Sequence, residues 1–520
     1  MSTVSRRRLL TGAGAVGALV LGGALRPRLS RGQARFADYP FKLGVASGDP
    51  RPDGFVLWTR LAPDPLAPGG GMGPDPVTVE WEVATDEGMQ QVVQHGVATA
   101  APARAHSLHV EVAGLDAERP YWYRFRAGSD ASVVGRTRTA PPPAAVSPRL
   151  RFAFASCQHW EVGHYAAYHH MQADDLDLVV HLGDYIYEGS WRRTTLRQHG
   201  TPEPTDLEGY RRRHALYKTD PALQGAHAAH PWIVTWDDHE VSNDYAADHS
   251  QLRDDPAIFR RRRLAAYQAY YEHMPLRPAV RLPAPEMRVY GRLGWGALAD
   301  FFVLDSRQYR APQVCGDGLR GGGQVVDGCS ARSSPAQTRL GPEQERWLFE
   351  GLAASGARWN VLAQQQLMAQ LRRRTPWGTD VIWTDGWDGY AGERRRILAH
   401  LRDARVANPV VLGGDAHSYW VTDLKVDFTE SEPAIATEFV GTSISSAGPP
   451  IGTMLRAIAE SPHVRYFEGE RRGYTRCTVT PERWTTELQA LDSVANPRSR
   501  IRTHASFVVE SGRPGAQRAT

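Results

Sequence analysis

The stretch Leu176-Asp-Leu-Val-Val-His-Leu-Gly-Asp-Tyr-Ile-Tyr187 decides which fold the sequence predicts. Its first seven residues form a short, mostly apolar run of the kind that becomes a buried strand, and Gly183 then marks a turn. The carboxylate Asp184 and the phenol Tyr187 follow this turn directly. A buried strand that ends in a polar cluster is typical of an α/β sheet, because ligands bind beyond the carboxyl ends of its strands.

Three further apolar runs end in the same way. Their clusters are Ser156-Cys157-Gln158-His159, Trp236-Asp237-Asp238-His239-Glu240 with Asn243-Asp244, and Gly413-Gly414-Asp415-Ala416-His417-Ser418. Four such clusters would meet in one crevice, where crowded carboxylates repel one another unless a cation lies among them. Together they predict a multi-metal site. Taken singly, a Gly-Asp pair can be only a turn, and Asp-Asp-His-Glu can be only the start of a helix.

The chain divides into segments of different texture. Residues 40–140 contain short alternating runs separated by turn residues, which predict a small fibronectin- or immunoglobulin-like β-sandwich domain. After a Pro/Ala-rich linker, residues 149–495 alternate buried strands with helical stretches, which predicts an α/β domain. Residues 496–520, rich in Arg and Ser at their start, are expected to form a partly mobile C-terminal tail.

Residues 1–34 have the layout of an export signal. The basic start Arg6-Arg7-Arg8 precedes an uncharged, Gly/Ala-rich run at 9–25. The pair Arg6-Arg7 resembles the twin-arginine signal, which makes the twin-arginine translocase an expected partner and the periplasm or the extracellular space the expected location. An N-terminal membrane anchor is the alternative, but the run is short and glycine-rich for a bilayer span. No later segment is long and apolar enough to span a membrane.

The charge and the cysteines narrow the functional classes. The formal net charge is +4 over 520 residues, and six arginines stand before Ala34 without any acid, so the rest of the chain has a net charge of −2 and no basic nucleic-acid footprint. Cys315 and Cys329 bracket a glycine-rich loop and are a candidate disulfide in an oxidising compartment. Cys477 is expected to be a buried, inert thiol.

The ordered series of motifs resembles the alkaline phosphatase D family of calcineurin-like metallophosphoesterases. Gly183-Asp184, Asp238-His239-Glu240 and Asp415-Ala416-His417 look like variants of the superfamily motifs, with Asp238 in place of the usual Asn and Asp415 in place of the usual His. Further matching stretches lie at 41–50, 55–60, 303–310, 387–390 and 441–446. The resemblance implies a two-sheet α/β/β/α metallophosphatase domain behind the β-sandwich, phosphoester hydrolysis, and a site with one Fe(III) and two Ca²⁺ ions.

The donor types agree with such a mixed site. Phenolate and thiolate donors suit Fe(III), the two oxygens of Asp184 can bridge two ions, and the remaining oxygen ligands suit Ca²⁺ or another hard divalent ion. A small buried thiol and a packed core aromatic are the ordinary alternatives for Cys157 and Tyr187. Which of Asn243 and Asp244 reaches a metal stays open. The candidate metal ligands are Cys157, Asp184, Tyr187, Asp238, Asn243, Asp244, Asp415 and His417.

The expected catalytic residues are Asp184, Asp238 and His239. Two adjacent cations generate a hydroxide nucleophile at mild pH and neutralise phosphoryl charge, and His239 is expected to contact the phosphoryl group or assist the leaving group. A capping or supporting role is the alternative for His239, and Asp237 is expected to orient its neighbours and not to bind metal. Weaker candidates for substrate contacts are Arg307, which could equally form a structural ion pair, and Asp388, Tyr390 and Arg394.

Three functions stay open at this stage. A phosphomonoesterase and a phosphodiesterase, including one of the phospholipase D type, need the same metals. A non-catalytic, calcium-stabilised surface binding protein is the rival from another class. Such a scaffold needs no iron and gives no reason to place Cys157 and Tyr187 beside Asp184.

Overall fold

The computed structural model describes residues 35–190, 195–278, 287–375 and 377–519. The predicted export signal at 1–34 therefore lies outside the described residues. Within the described ranges, no helix has both the length and the apolar character needed to cross a membrane.

The described residues form 25 strands and seven α-helices. The strands are β1 (Val45–Arg51), β2 (Gly54–Arg60), β3 (Val77–Ala84), β4 (Val92–Ala100), β5 (Ser107–Val112), β6 (Pro120–Ala127), β7 (Asp130–Ala131), β8 (Gly135–Arg138), β9 (Leu150–Ala155), β10 (Leu178–His181), β11 (Pro231–Val234), β12 (Gly291–Trp295), β13 (Ala299–Val303), β14 (Val325–Asp327), β15 (Trp359–Ala363), β16 (Arg373–Arg374), β17 (Asp380–Trp383), β18 (Pro409–Gly413), β19 (Tyr419–Leu424), β20 (Ala436–Val440), β21 (Val464–Glu468), β22 (Gly473–Val479), β23 (Arg483–Leu491), β24 (Ile501–Glu510) and β25 (Gln517–Arg518).

The helices are α1 (Ala166–Met171), α2 (Leu207–Lys218), α3 (Pro221–Ala229), α4 (Pro256–His273), α5 (Gly341–Ala353), α6 (Ala391–Asp403) and α7 (Ile451–Ala459). Aspartates start three of them. The carboxylates of Asp206, Asp220 and Asp255 accept hydrogen bonds from first-turn backbone nitrogens of α2, α3 and α4. Each satisfies donors that have no partner inside the helix, which fixes where the helix begins.

Two large sheets pack face to face. One has the strand order β25-β24-β23-β22-β9-β10-β11-β1-β2-β5, and the other has the order β12-β13-β15-β18-β20-β19-β21. Strands β9, β10 and β11 are parallel, as are β13, β15, β18 and β20. Side chains such as Phe152, Val180, Phe301 and Val410 fill the space between the sheets. Burial on both faces explains why these strands are continuous apolar runs in the sequence.

Helices cover the outer faces of both sheets. In β9, Phe152 and Phe154 face the second sheet, while Ala153 and Ala155 belong to the aromatic-rich core beneath α1 to α4. On the far side, α5 and α6 pack their leucines against the outer face of the seven-stranded sheet, where Leu362 lies. The layers are therefore α/β/β/α, as the family resemblance implies.

The N-terminal residues form the expected β-sandwich. A five-stranded sheet, with order β4-β3-β6-β7 and β8 on β6, packs against β1, β2 and β5 around a common apolar core that includes Phe55 and Phe125. However, β1 pairs in parallel with β11, so one sheet of the sandwich is the end of the ten-stranded sheet. The sandwich and the α/β part share one continuous sheet.

The C-terminal residues do not form a mobile tail over most of their length, so this prediction is wrong. Strand β24 pairs with β23 across its whole length, and β25 pairs with β24. Ala505, Phe507 and Val509 alternate along β24 and are buried between the two large sheets. Their burial supplies the free energy that orders the segment.

The two cysteine expectations are confirmed. Cys315 and Cys329 form a disulfide with their Cα atoms 5.7 Å apart. Cys477 is a free thiol buried in the core between the sheets.

Candidate metal centre

The four polar clusters after β9, β10, β11 and β18 come together at one edge of the two sheets. Three groups of side chains have candidate ligand atoms within 4.8 Å of one another, and Asp184 belongs to all three. The groups are Cys157, Asp184 and His417; Asp184, Asp238 and His239; and Asp184, Asp237, Asp238 and Asp415. One carboxylate therefore lies where three sets of donors meet.

The backbone at this edge is strained. Cys157, Asp184, Asp244, Asp415 and His417 all have positive φ angles, between 50° and 61°. Residues other than glycine rarely adopt this backbone conformation. Such conformations cluster at functional sites, where the surrounding structure holds them in place. In this protein they occur in the separate loops whose side chains meet at the candidate site.

Glu240 ties two of these loops together. Its carboxylate accepts hydrogen bonds from the backbone nitrogens of Asp184 at 3.1 Å, Tyr185 at 2.6 Å and Asp237 at 2.8 Å. Gly183 makes the close approach possible, since a Cβ at this position would lie 2.5 Å from the Asp237 nitrogen. The sequence pattern does not single out Glu240 as a functional residue, although its place in Asp-Asp-His-Glu was a usable signal.

The ring of His417 is oriented as a metal ligand requires. Its Nδ1 lies 2.7 Å from the carbonyl oxygen of Ala447, and its Nε2 lies 3.2 Å from the Tyr187 hydroxyl. Burial lowers the pKa of His417 to about 4, so the ring is neutral near pH 7. An Nδ1–H that donates to Ala447 leaves the Nε2 lone pair available to a cation.

Cys157 and Tyr187 lie beside Asp184. The Tyr187 hydroxyl donates to Asp184 Oδ2 at 3.0 Å and lies 2.9 Å from Ser446 Oγ. Burial, together with the negative charge of Asp184, raises the pKa of both Cys157 and Tyr187. A positive charge among these groups would reverse this effect, because a cation favours the anionic form of each donor.

The carboxylates at this site also have the surroundings that a metal ion would stabilise. Asp184 Oδ1 and Asp237 Oδ2 are buried, and neither has a hydrogen-bond partner within the described part of the chain. Burial and neighbouring carboxylates raise the pKa of Asp184 and Asp415 well above the ordinary range. Buried carboxylates with free oxygens and like-charged neighbours need a cation to stay ionised. The residues present therefore suit metal ions.

His239 is held by a carboxylate of its own. Its Nδ1 lies 2.8 Å from Glu188 Oε2, and its ring stacks on Tyr187 with centroids 4.2 Å apart. Burial opposes a charged imidazole, but the carboxylates of Glu188, Asp238 and Asp184 outweigh it and raise the pKa of His239. One ring nitrogen of His239 also belongs to the group formed with Asp184 and Asp238. Glu188 is a second supporting residue that the sequence pattern does not single out.

The structure gives Asp244, Asn243 and Asp237 contacts that the sequence pattern does not predict. Asp244 lies outside the three groups, and its carboxylate accepts hydrogen bonds from the Gly323 nitrogen at 2.9 Å and from Gln251 Nε2 at 3.2 Å. The backbone N–H of Asn243 donates a hydrogen bond to Glu188 Oε1 at 2.6 Å. Asp237, expected only to orient its neighbours, joins the largest group of possible ligands.

The four weaker candidates are mostly engaged with protein. Arg307 is fully buried and forms ion pairs with Asp237, with Asp238 at 3.4 Å and with Asp385 at 3.1 Å. These contacts agree with a structural ion pair, the alternative to a substrate contact. Arg394 pairs with Asp388 at 2.7 Å, and the Tyr390 hydroxyl donates to the Ala311 carbonyl at 2.7 Å. Of these four residues, Asp388 lines a pocket beside the metal centre.

Two face-to-face sheets under helices, with a buried carboxylate, histidine and thiol cluster beyond the strand ends, define a metal-dependent hydrolase of phosphoric esters. The model of the family described as PhoD-like phosphatase matches residues 152–488, and that of its N-terminal domain matches residues 26–141. The chain belongs to the PhoD-like phosphatase family.

Individual relatives agree with this assignment. The chain is 44% identical over 534 residues to alkaline phosphatase D of Bacillus subtilis (strain 168), covering all of this chain and 90% of the relative. It is also similar to a solved structure of PhoD, with a TM-score of 0.89 and 45% identity over 94% of this chain and 93% of the other. The protein is thus a phosphoester hydrolase of a metal-dependent family, and the non-catalytic binding protein is not supported.

Proposed function

We propose that this phosphoester hydrolase works through a mixed Fe(III) and Ca²⁺ centre. The ligands in this proposal are Cys157, Asp184, Tyr187, Asp238, Asp415 and His417, with Asp237 as a further candidate. The observation that carries the proposal is the position of Asp184, which all three groups of possible ligands share. The thiol and the phenol beside it favour iron, and the oxygen donors favour calcium.

The bound metals would supply Lewis-acid chemistry, polarising a phosphoryl oxygen and lowering the pKa of water. The protein's own groups prepare the site for this. Glu188 orients the His239 ring, which is our candidate for hydrogen-bonding the phosphoryl group or for assisting the leaving oxygen. Arg307 neutralises part of the negative charge of Asp237 and Asp238 through its ion pairs with both carboxylates.

Metal analysis combined with ester hydrolysis tests this proposal. We expect the purified protein to contain iron and calcium, to show a visible thiolate- or phenolate-to-Fe(III) absorption band, and to lose activity reversibly on calcium chelation. Asp184→Ala should be nearly inactive, whereas Ser156→Ala and Ser418→Ala should keep much of the activity. A colourless, fully active protein without iron would contradict the iron assignment, and activity after exhaustive metal removal would contradict the mixed centre.

Phosphodiester hydrolysis, including hydrolysis of the phospholipase D type, is a second candidate. A pocket of about 590 Å³ lies beside Asp415 and Asp244, and it offers room for a second ester arm. Comparing the hydrolysis of phenyl phosphate with that of diphenyl phosphate separates the two activities. A large preference for the monoester would count against the diester assignment.

We also infer that the protein is exported by the twin-arginine route to the periplasm or the extracellular space. The support is the Arg6-Arg7 pair before an uncharged run. In addition, a metal that is loaded in the cytoplasm requires the export of a protein that has already folded. Replacing both arginines by lysine keeps the charge but removes the planar guanidinium groups that a receptor can recognise. We expect this variant to remain inside the cell, and export equal to that of the parent would contradict the route.

A further inference from the structure

The pocket beside the metal centre is lined by apolar side chains together with four aspartates and one arginine. Asp244, Asp385 and Asp415 line it on the side of the centre. Apolar side chains line much of the remainder, including Leu367, Trp383, Trp387, Trp420 and Met454. Trp387 and Trp420 are almost fully buried, so the partly exposed Trp383 offers the ring surface that suits an aryl or similarly planar group.

A small sheet forms one wall of this pocket. Strand β17 pairs with β14 through Trp383 and Val325, and it pairs with β16 through Val381 and Arg373. Directly paired residues lie on the same face of a sheet, and so do residues two apart in one strand. Val325, Trp383 and Arg373 therefore share the face that lines the pocket. Arg374 lies on the opposite face, where it pairs with Asp380 at 2.7 Å.

Arg373 is the unusual member of this wall. Its Nε is buried without a hydrogen-bond partner, while the side chain as a whole stays partly exposed. Burial lowers its pKa, although the charge of Asp388 opposes this. The Asp388 carboxylate itself is held by Arg394 at 2.7 Å and by the Leu371 nitrogen at 3.1 Å. The partly exposed guanidinium beside the pocket can donate hydrogen bonds to an anionic group of a ligand, and its buried Nε is a donor that such a group would satisfy.

We propose that this pocket binds the alcohol arm of the phosphoester, and that Arg373 recognises a second anionic group at the far end of that arm. The inference rests on the proposed hydrolase function and adds a substrate class to it. The preferred substrates carry a flat apolar segment next to the scissile phosphate and a carboxylate or a second phosphate beyond it. Trp383 contacts the flat segment, and Arg373 pairs with the distal anion in a charge-assisted contact.

A matched set of aryl esters tests the proposal with the purified metal-loaded enzyme. Phenyl phosphate, 4-carboxyphenyl phosphate and 4-phosphonophenyl phosphate share the reacting group and differ in the distal anion. We expect Arg373→Gln to lower kcat/KM for the two anionic esters by about 10- to 100-fold more than for phenyl phosphate, because one hydrogen-bonded charge contact is lost. Arg373→Lys should restore part of the difference, since it keeps the charge. The two anionic esters distinguish a carboxylate-bearing from a phosphate-bearing natural substrate.

Arg374→Gln is the control, because this neighbour lies on the opposite face of the same strand and pairs with Asp380. It should change kcat/KM equally for all three esters. Equal losses for all three esters in Arg373→Gln, at an unchanged thermal midpoint, would overturn the role of Arg373. A wild-type enzyme that hydrolyses phenyl phosphate but neither anionic ester would also overturn it. Failure to hydrolyse these three monoesters and diphenyl phosphate alike would instead contradict the proposed function.

Discussion

Glu240 illustrates how much of this site depends on residues that bind neither metal nor substrate. Its two carboxylate oxygens accept three backbone hydrogen bonds from two loops, and those loops carry Asp184 and Asp237. Glu188 plays a comparable part by holding His239 and the backbone of Asn243. At the scale of single residues, buried acids thus fix the loop conformations that would otherwise relax from positive φ.

Replacing Glu240 by Gln tests this role. The amide keeps the size of the side chain but offers one acceptor oxygen in place of two, so at least one loop nitrogen loses its partner. We expect metal affinity or kcat to fall by about 10- to 100-fold, as is typical when a group that supports metal ligands is changed. Elemental analysis and steady-state kinetics measure the two quantities.

Glu393→Gln is the matched control for this variant. Glu393 is also fully buried and accepts hydrogen bonds from the Leu340 nitrogen at 3.3 Å and from Thr338 Oγ1 at 2.6 Å. It lies outside the three groups of possible ligands. Its substitution should lower stability while metal content and kcat stay near those of the parent. Similar metal loss in both variants would mean that Glu240 has only a general structural role.

At the scale of elements, the strands that end at the site could be predicted from the sequence. Strands β9, β10, β11 and β18 are buried on both faces, so each is a local apolar run, and the polar residues that follow it stand out. Helix α4 could be placed for a similar reason, since the Asp255 cap and the proline that follows it are local signals for the start of a helix. Local patterns of this kind do not depend on the rest of the chain.

Pairing between distant strands could not be predicted in this way. The alternating residues of β24 are a weak local signal, and their burial depends on β23 and on the second sheet. The same holds for Arg373. Its strand, β16, has only two residues, and Arg373 lines the pocket because β16 pairs with β17, which in turn pairs with β14. The sequence relates Asp237 only to its neighbours in the chain, whereas its position beside Asp184 and Asp415 results from packing between the two sheets.

At the scale of the whole molecule, the ten-stranded sheet joins regions that the sequence separates into domains. Strand β1 pairs with β11, and β11 leads directly into the loop that carries Asp237 and Asp238. In addition, the side chain of Trp58 in β2 donates to the Glu272 carbonyl in α4 at 3.0 Å. Disturbing the N-terminal sandwich should therefore disturb the sheet that positions the metal centre.

The last prediction follows from this shared sheet. Phe125 of β6 is fully buried in the core of the sandwich, in a strand of the five-stranded sheet, which contributes none of the possible metal ligands. Phe125→Ala should lower the free energy of unfolding by about 3–5 kcal/mol, because truncating a buried aromatic leaves a cavity. Since one sheet connects both regions, calorimetry should still show a single transition, and residual activity should fall at the same lowered temperature. Val97→Ala is the control, because Val97 in β4 is 65% exposed and its truncation should change stability by at most about 0.5 kcal/mol. An early transition in Phe125→Ala that leaves activity intact would mean that the sandwich unfolds independently, and that the continuous sheet does not transmit its stability to the site.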